Sequence, residues 1–443
     1  MKTHKPHARN SYYLFILIAL LVIVANTLAF SLMLKQAYGA ETPSSMQVET
    51  RVVGDPNSKN VEKLRSYFFK QGSHYVDAAR GRYSPNGSMV LFDAKHDGKF
   101  FDVFEFNRIT GAITSITDGN KRFPRHAGNA VYDPSGRWIV FIAEEPNHNL
   151  ATNPQFTGLG QPGIGLYNNL WSYDRVTKKY YKLTNIPIKT SVFDPTPSYA
   201  TVNPKISADG LRIMWTELYA NGPFAGHWGK WRVKIADFRG HVLKNKQVVL
   251  DSQITCKLRK LYNPTLCEDA SLFGNYVTGM GFHPLDRNVL LLAGNLDGQH
   301  VYGMDLYIYK LLGKFLFNVT RDADDWTEGS TWTTNGQGII TMSFRLFTSP
   351  PMDTSDLNWV AQETWREYWL LSSDGKARSR LTYLRCPGCN DRKVLPWSGN
   401  MAIVGAVARA RHDPALFLGL VGNIDDDDRR VLGLLEFRLK GAQ

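Results

Sequence analysis

The sequence predicts an all-β fold, a six-bladed β-propeller of four-stranded antiparallel blades, and three observations carry that expectation. A unit made of a tight turn, an apolar run, a strand with bulk alternating against charge and a closing hydroxyl recurs along most of the chain. Its copies lie about 50 to 75 residues apart, the length that a blade of four short strands needs. The composition supplies the parts: 37 Gly and 21 Pro for turns, and 12% aromatic residues to fill the layers between blades. At 443 residues the chain exceeds the usual single-domain size, but a repeat fold grows by adding units and needs no second core.

Blade one is the clearest unit, Tyr83 to Thr117. Tyr83-Ser-Pro-Asn-Gly87 is a turn, Met89 to Phe92 a buried strand, His96-Asp97-Gly98 a second turn, and Val103-Phe-Glu-Phe106 a strand that leads through Thr110-Gly111 to Ile116-Thr117. Such a meander cannot bury both faces alone, so it must stack on copies of itself. Tyr132-Asp-Pro-Ser-Gly136, Ile206-Ser-Ala-Asp-Gly210, Phe282-His-Pro-Leu-Asp286 and Trp332-Thr-Thr-Asn-Gly336 open blades two to five, and Leu183-Thr184, Val319-Thr320 and Leu381-Thr382 close three of them. Blade six is worn: Trp397-Ser-Gly-Asn400 reads as its turn and Met401 to Val404 as the following strand. Leu434-Leu-Glu-Phe437 ends it and echoes Val103-Phe-Glu-Phe106.

This string of aromatic-Ser-Pro-Asp/Asn-Gly, apolar strand, apolar-x-Asp strand and Leu-Thr resembles the six-bladed propeller of the TolB-like, WD40-like repeat proteins. The resemblance covers roughly residues 75 to 440 and implies the propeller fold and a binding or scaffold role in the cell envelope. Fold alone does not settle function, because propellers host lyases, peptidase regulatory domains, dehydrogenases and docking platforms.

The N-terminus divides the chain. Lys2, Lys5 and Arg9 precede an uncharged run from Ser11 to Leu34, about 24 residues, long enough to cross a bilayer as a helix. Basic residues before it and a large domain after it predict a cytoplasmic N-terminus and an extracytoplasmic propeller. Residues 1–40 are thus a basic stub with a transmembrane or signal segment. Ala37 and Gly39 suit a signal-peptidase site, so cleavage before Ala40 competes with a retained inner-membrane anchor, which the length of the run favours. Residues 41–74 form a linker, with Met46 to Val53 either a strand that closes blade six or a tether, and Val61 to Gly72 a short amphipathic helix or irregular lead-in. Residues 75–443 are the propeller.

Four cysteines fit an oxidising compartment, with Cys256 and Cys267 as one candidate disulfide and Cys386 and Cys389 as another. A redox role for the Cys386-Pro-Gly-Cys389 pair needs a helix N-terminus in a βαβ setting, and a four-thiolate zinc site needs the pairs to meet across the ring. The excess of 12 positive charges favours anionic partners or is spread over the surface; with no long basic run, no nucleic acid is expected.

Blades aligned on the residue before the turn bring a ring of candidates to one mouth of the channel. Asp77, His126, Ala200, Tyr276 and Trp326 stand at one level, with Val76, Arg125, Tyr199, Asn275 and Asp325 one residue earlier. Trp326, Tyr276 and Tyr199 could stack on a sugar while Asp77, Asp325 and Arg125 bond hydroxyls or a carboxylate; the competing reading is that these side chains cap blade edges. His283 reads as a turn residue. Asp322, Asp324 and Asp325, and Asp425 to Asp428, are acidic loops without a specific calcium or transition-metal motif, and no cofactor is expected. Asn86-Gly-Ser88 and Asn318-Val-Thr320 match the glycosylation sequon at positions that the repeat explains.

No local hydrolase, metalloprotease or nucleotide motif is present, so no catalytic residue is assigned. The expectation is a monomeric envelope propeller that docks a protein or glycan at a face or channel mouth. The alternative is a carbohydrate-active enzyme similar to the oligogalacturonide lyases, whose channel metal site wants several histidines where this mouth offers His126. The propeller of a prolyl-oligopeptidase-type peptidase is a third reading, and a complete enzyme of that type is not expected, as no α/β-hydrolase domain follows residue 440.

Overall fold

The computed structural model describes residues 46–441 except 96–97, 118–120, 149–157, 192–193, 195–196, 222–228, 254–274, 298–302, 322–324, 346–364, 385, 387, 397–402 and 425–429. Five of its sheets have four antiparallel strands each, and the sixth carries the chain ends. Listed from the axis outward, blade one is Ala78–Tyr83, Met89–Ala94, Asp102–Asn107 and Ile113–Ser115. Blade two is Ala127–Tyr132, Trp138–Glu144, Asn168–Asp174 and Lys179–Lys182. Blade three is Ala200–Ile206, Arg212–Ala220, Lys230–Phe238 and Leu243–Asp251. Blade four is Val277–Phe282, Val289–Gly294, Asp305–Lys310 and Phe315–Asn318, and blade five is Asp325–Trp332, Gly338–Arg345, Trp365–Ser372 and Arg378–Arg380. Each inner strand packs beside the next, and that of blade six beside that of blade one, so the ring is closed.

Blade six differs from expectation in two ways. Its inner strand is Ile403–Arg409, so Val404 belongs to the first strand and not the second; the turn is Ala410 to Pro414, without glycine, and Trp397 to Asn400 lie outside the described residues. Leu416–Ile424 and Arg430–Leu439 follow, and the next strand is Val61–Gln71, paired Leu64 to Phe437 and Tyr67 to Leu434. The segment expected as a short amphipathic helix or irregular lead-in is therefore the closing strand. Its apolar residues serve both sheet faces: Leu64 and Phe68 enter the core shared with blade five, while Tyr67 and Phe69 enter that of blade one. Gln47–Val53 is a strand too, one step further out, paired antiparallel on Val61–Gln71.

The repeat's closing threonine has a physical task. Thr117, Thr184, Thr320 and Thr382 each accept the N–H of a third-strand residue: Val103, Leu170, Leu306 and Tyr368. Each then donates its hydroxyl to Asp102, Asn169, Asp305 or Glu367 beside that residue. A hydroxyl can do both at once, which valine in the same place cannot.

The echoed glutamate also has one. Tyr83 donates to Glu436 of blade six at 2.6 Å, and Arg108 of blade one reaches the same carboxylate at 2.6 Å. One blade on, Tyr132 donates to Glu105 at 2.6 Å and Arg175 pairs with it at 3.0 Å. The aromatic before the turn and the glutamate of the preceding blade are one inter-blade clamp, used twice.

Cys386 and Cys389 form a disulfide in the connection between blades five and six; Cys256 and Cys267 lie outside the described residues. A 3₁₀ turn, Asn390–Val394, follows, and Asp391 in it accepts the N–H groups of Asn57 at 2.7 Å and Tyr383 at 2.8 Å, tying this connection to the N-terminal segment. Among the described residues no helix is long and apolar enough to cross a membrane, and Ser11 to Leu34 lie outside them.

Candidate functional site in the central channel

The expected mouth residues do stand at the start of the inner strands, but not as one open ring. His126 is buried, its Nδ1 accepts the Phe101 N–H at 3.0 Å, and its ring sits edge-on to Phe100. That acceptor role leaves the ring proton on Nε2. Arg125 is buried and donates to Glu144 at 2.7 Å, and His148 meets the same oxygen at 2.6 Å. Burial pushes the Glu144 carboxyl up, but His148 and Arg125 together outweigh it and hold it below its usual range. These groups serve the frame of blade two.

Tyr276, partly exposed, packs edge-on against Trp231, and its N–H binds the Asn295 side chain at 2.6 Å. Burial raises its phenol above the ordinary range. Tyr199 is partly exposed, and its carbonyl accepts the Tyr167 N–H. Asn275, Val76 and Ala200 are buried; Asp77 and Trp326 are partly exposed, and Trp326 packs on the core between blades five and six. Asp325 opens its inner strand opposite Arg345. Asp322, Asp324 and Asp425 to Asp428 lie outside the described residues. His283 accepts the Leu285 N–H and packs on Trp332, as a turn residue.

The chemistry lies deeper. All six inner strands carry a bulge, at Ala79/Arg82, Gly128/Val131, Val202/Lys205, Gly279/Gly281, Glu328/Thr331 and Val404/Val407. Arg80, Asn129, Asn203 and Gly329 take left-handed backbone there, with φ of 55°, 57°, 53° and 63°. A bulge re-aims the side chains that follow it. Arg82 of blade one and Lys205 of blade three, each next to the last residue of its inner strand, are thereby brought close enough for both Arg82 and Arg80 to repel the Lys205 ammonium. Blades one and three are not neighbours, so Arg82 and Lys205 stand on separate walls of the ring. All three are partly exposed, so solvent reaches them.

The electrostatics follow. Burial, with Arg82 and Arg80 adding to it, holds Lys205 well below the usual lysine range. Burial brings Arg82 down to about 10, against the pull of Asp93. Asp93, fully buried behind the bulges, is pushed up to about 6 by burial, although Arg80, the Asn129 N–H and Arg82 pull it down. Its Oδ2 accepts the Asn129 N–H at 2.8 Å.

The two ends of the channel differ. At the turn end Arg411 of blade six reaches across to the carbonyls of Ala208, 3.2 Å, and Ser207, 3.4 Å, on blade three, the opposite blade. Arg409 beside it donates to the Thr333 carbonyl. That end is bolted. At the other end the segment Gly158 to Leu166 lies over the bulges: Asn129 Nδ2 donates to the Pro162 carbonyl at 2.7 Å, and Thr201 N–H to Gly165. A Cβ on Gly163 would stand 2.9 Å from the Arg80 guanidinium, so glycine lets the loop approach it. Four glycines in Gly158-Leu-Gly-Gln-Pro-Gly-Ile-Gly165 are a sequence signal for this loop that the repeat alignment passes over.

No known family profile matches the sequence, and no curated protein matches it. Among solved structures, an oligogalacturonate lyase in complex with manganese is 10% identical, with 91% of this chain and 99% of that chain covered and a TM-score of 0.47. The oligogalacturonate lyase from Vibrio parahaemolyticus is 10% identical, with 89% and 98% covered and a TM-score of 0.46. TolB from Acinetobacter baumannii is 13% identical, with 77% and 65% covered and a TM-score of 0.41. The strand order of the chain itself makes it a six-bladed β-propeller, and these structures are similar to it.

Proposed function

We propose that the chain is an extracytoplasmic binding propeller of the cell envelope, held at the membrane by Ser11 to Leu34, that docks an acidic partner at the mouth of its channel. The observation that carries this reading is the placing of Arg82 and Lys205 at equivalent, partly exposed positions on two inner strands of the ring, where the Lys205 ammonium has no hydrogen-bond or ion-pair partner among the described residues. Cations gathered in a low-dielectric cleft focus a positive field at its mouth. The alternative of a metal-dependent lyase wants converging donors. Among the described residues no three of His, Cys, Asp and Glu form such a group, and His126 and His148 are engaged in the frame.

The test is a panel of acidic and neutral oligosaccharides and peptides against the full-length protein in detergent, at about 0.05 M and 0.5 M salt. Binding is expected for acidic members alone, falling at least tenfold as salt screens the field. Equal binding of neutral members, or none at all, contradicts the reading.

A further inference from the structure

We propose that the turn end of blades one to four lies on an anionic lipid surface, with the tips Ile109, Val176 and Leu312 entering it and the lysines beside them meeting its headgroups. This surface stands at the opposite end of the channel from the mouth and goes beyond the reading above.

The connections at that end join first to second and third to fourth strands. They hold or border six of the nine exposed large apolar residues among the described residues: Ile109, Val176, Leu211, Leu285, Leu312 and Phe315. Three of these occupy one position of the repeat. The N–H groups of Arg108, Arg175 and Leu311 donate to the carbonyls of Ser88, Arg137 and Asn288. The next residue in each case is Ile109, Val176 or Leu312, 83%, 73% and 76% exposed. The same turn, remade on blades one, two and four, thus holds an apolar side chain out at one level of the ring. A flat apolar layer can cover all three at once.

Charge names the layer. Lys178, Lys179, Arg239, Lys244, Lys310 and Lys314 are exposed at this end of blades two to four and form no ion pair among the described residues. Of the acids there, Asp174 pairs with Arg137 and Asp209 with Arg287. Asp133 is buried, Asp237 accepts from Asn245, and Asp286 accepts the Asn288 N–H. Lys178 and Lys314 hold left-handed backbone, φ 59° and 51°, where blade one has Gly111 at 76°. A lysine kept where glycine is less strained points to a use for its charge. Apolar tips with lysines at their base suit an anionic bilayer interface, which such groups enter by about 5 to 10 Å.

The link to the anchor read above allows this placing. Leu34 and Gln47 are 13 residues apart, at most about 45 Å of chain. Gln47 begins its strand at the mouth end, and that strand of seven residues is about 23 Å long, so the link reaches a bilayer under the turn end. The mouth then faces away from the membrane.

The experiment is amide hydrogen exchange of the full-length protein in nanodiscs of phosphatidylcholine alone and of equal parts phosphatidylcholine and phosphatidylglycerol, for wild type and for Lys310→Glu combined with Lys314→Glu. In anionic discs the tips at 108–111, 175–179 and 310–315 are expected to exchange about tenfold more slowly than in neutral discs. The Gly72-Ser73 turn at the mouth, between Val61–Gln71 and His74–Val76, is expected to exchange alike in both. The double variant is expected to match wild type in neutral discs, because both lysines are exposed, and to lose the slowing at 310–315 in anionic ones. Equal exchange of the wild-type tips in the two discs, or slowing at the mouth in their place, overturns the surface. Slowing that appears in detergent and grows with protein concentration assigns this face to a second copy of the chain and overturns it too. A chain that does not enter neutral discs contradicts the anchor alone; anionic discs added to that chain are still expected to slow the tips.

Discussion

Removal of residues 46–71 is expected to leave a chain with no cooperative unfolding transition. The closing strand Val61–Gln71 is the fourth strand of blade six and seals the ring between first and last blades. Val61, Leu64, Phe68 and Phe69 in it are wholly buried, and Tyr67 nearly so. At about 1.5 to 3 kcal/mol per large apolar side chain, their loss is on the order of 10 kcal/mol, comparable to the whole stability of a folded domain. The exposed edge of Arg430–Leu439 would also invite pairing with other chains. A single substitution, Phe68→Ala, should cost about 3 to 5 kcal/mol, since Phe68 fills the core shared with Val404, Phe417 and Phe437. Calorimetry of the two proteins checks both. A truncated chain that melts within a few degrees of wild type would mean that the ring does not depend on this strand.

The second large effect is at Glu436. Its carboxylate accepts from Tyr67 at 3.1 Å and Tyr83 at 2.6 Å, and pairs with Arg108 at 2.6 Å and Arg65 at 3.5 Å. Burial and the carboxylate both raise the Tyr83 phenol well above its ordinary range, so it stays a proton donor. Glu436→Ala leaves two phenols without an acceptor and two guanidiniums without a counter-charge beside the core, and should cost about 3 to 5 kcal/mol in denaturant unfolding. Glu436→Gln keeps acceptor capacity and should cost about 1 to 3 kcal/mol. If both substitutions cost under about 0.5 kcal/mol, the clamp does not hold the blades.

The sequence made the fold legible because its periodic parts each meet a local need. Tyr83, Glu436 and the closing threonines recur because the same contact is remade between blades, and such recurrence can be seen without coordinates. Blade six is the exception: Ala410 to Pro414 lacks the glycine that marks the turns of blades one, two, three and five, whereas Trp397 to Asn400 carries one. The closing strand was hidden for a different reason. It is buried on both faces, so Tyr67, Phe68 and Phe69 run together without the alternation of a half-buried strand.

The site was less legible than the fold. Alignment of the repeats found the level of His126 and Tyr276, but not that His126 is spent on Phe101. Arg82 and Lys205 are at equivalent positions, yet their direction depends on bulges at Arg80 and Asn203 that strict strand alternation does not foresee. The bolt formed by Arg411 joins opposite blades, a contact that no spacing along the chain encodes.

The most direct measurement is anomalous diffraction from crystals of the propeller soaked in selenate, a heavy mimic of a tetrahedral oxyanion. The expected result is a peak in the channel beside the Lys205 ammonium, absent from crystals of Lys205→Met. Selenate bound on the outer surface alone, with an axis occupied by water, would contradict the assignment of the channel as the binding site.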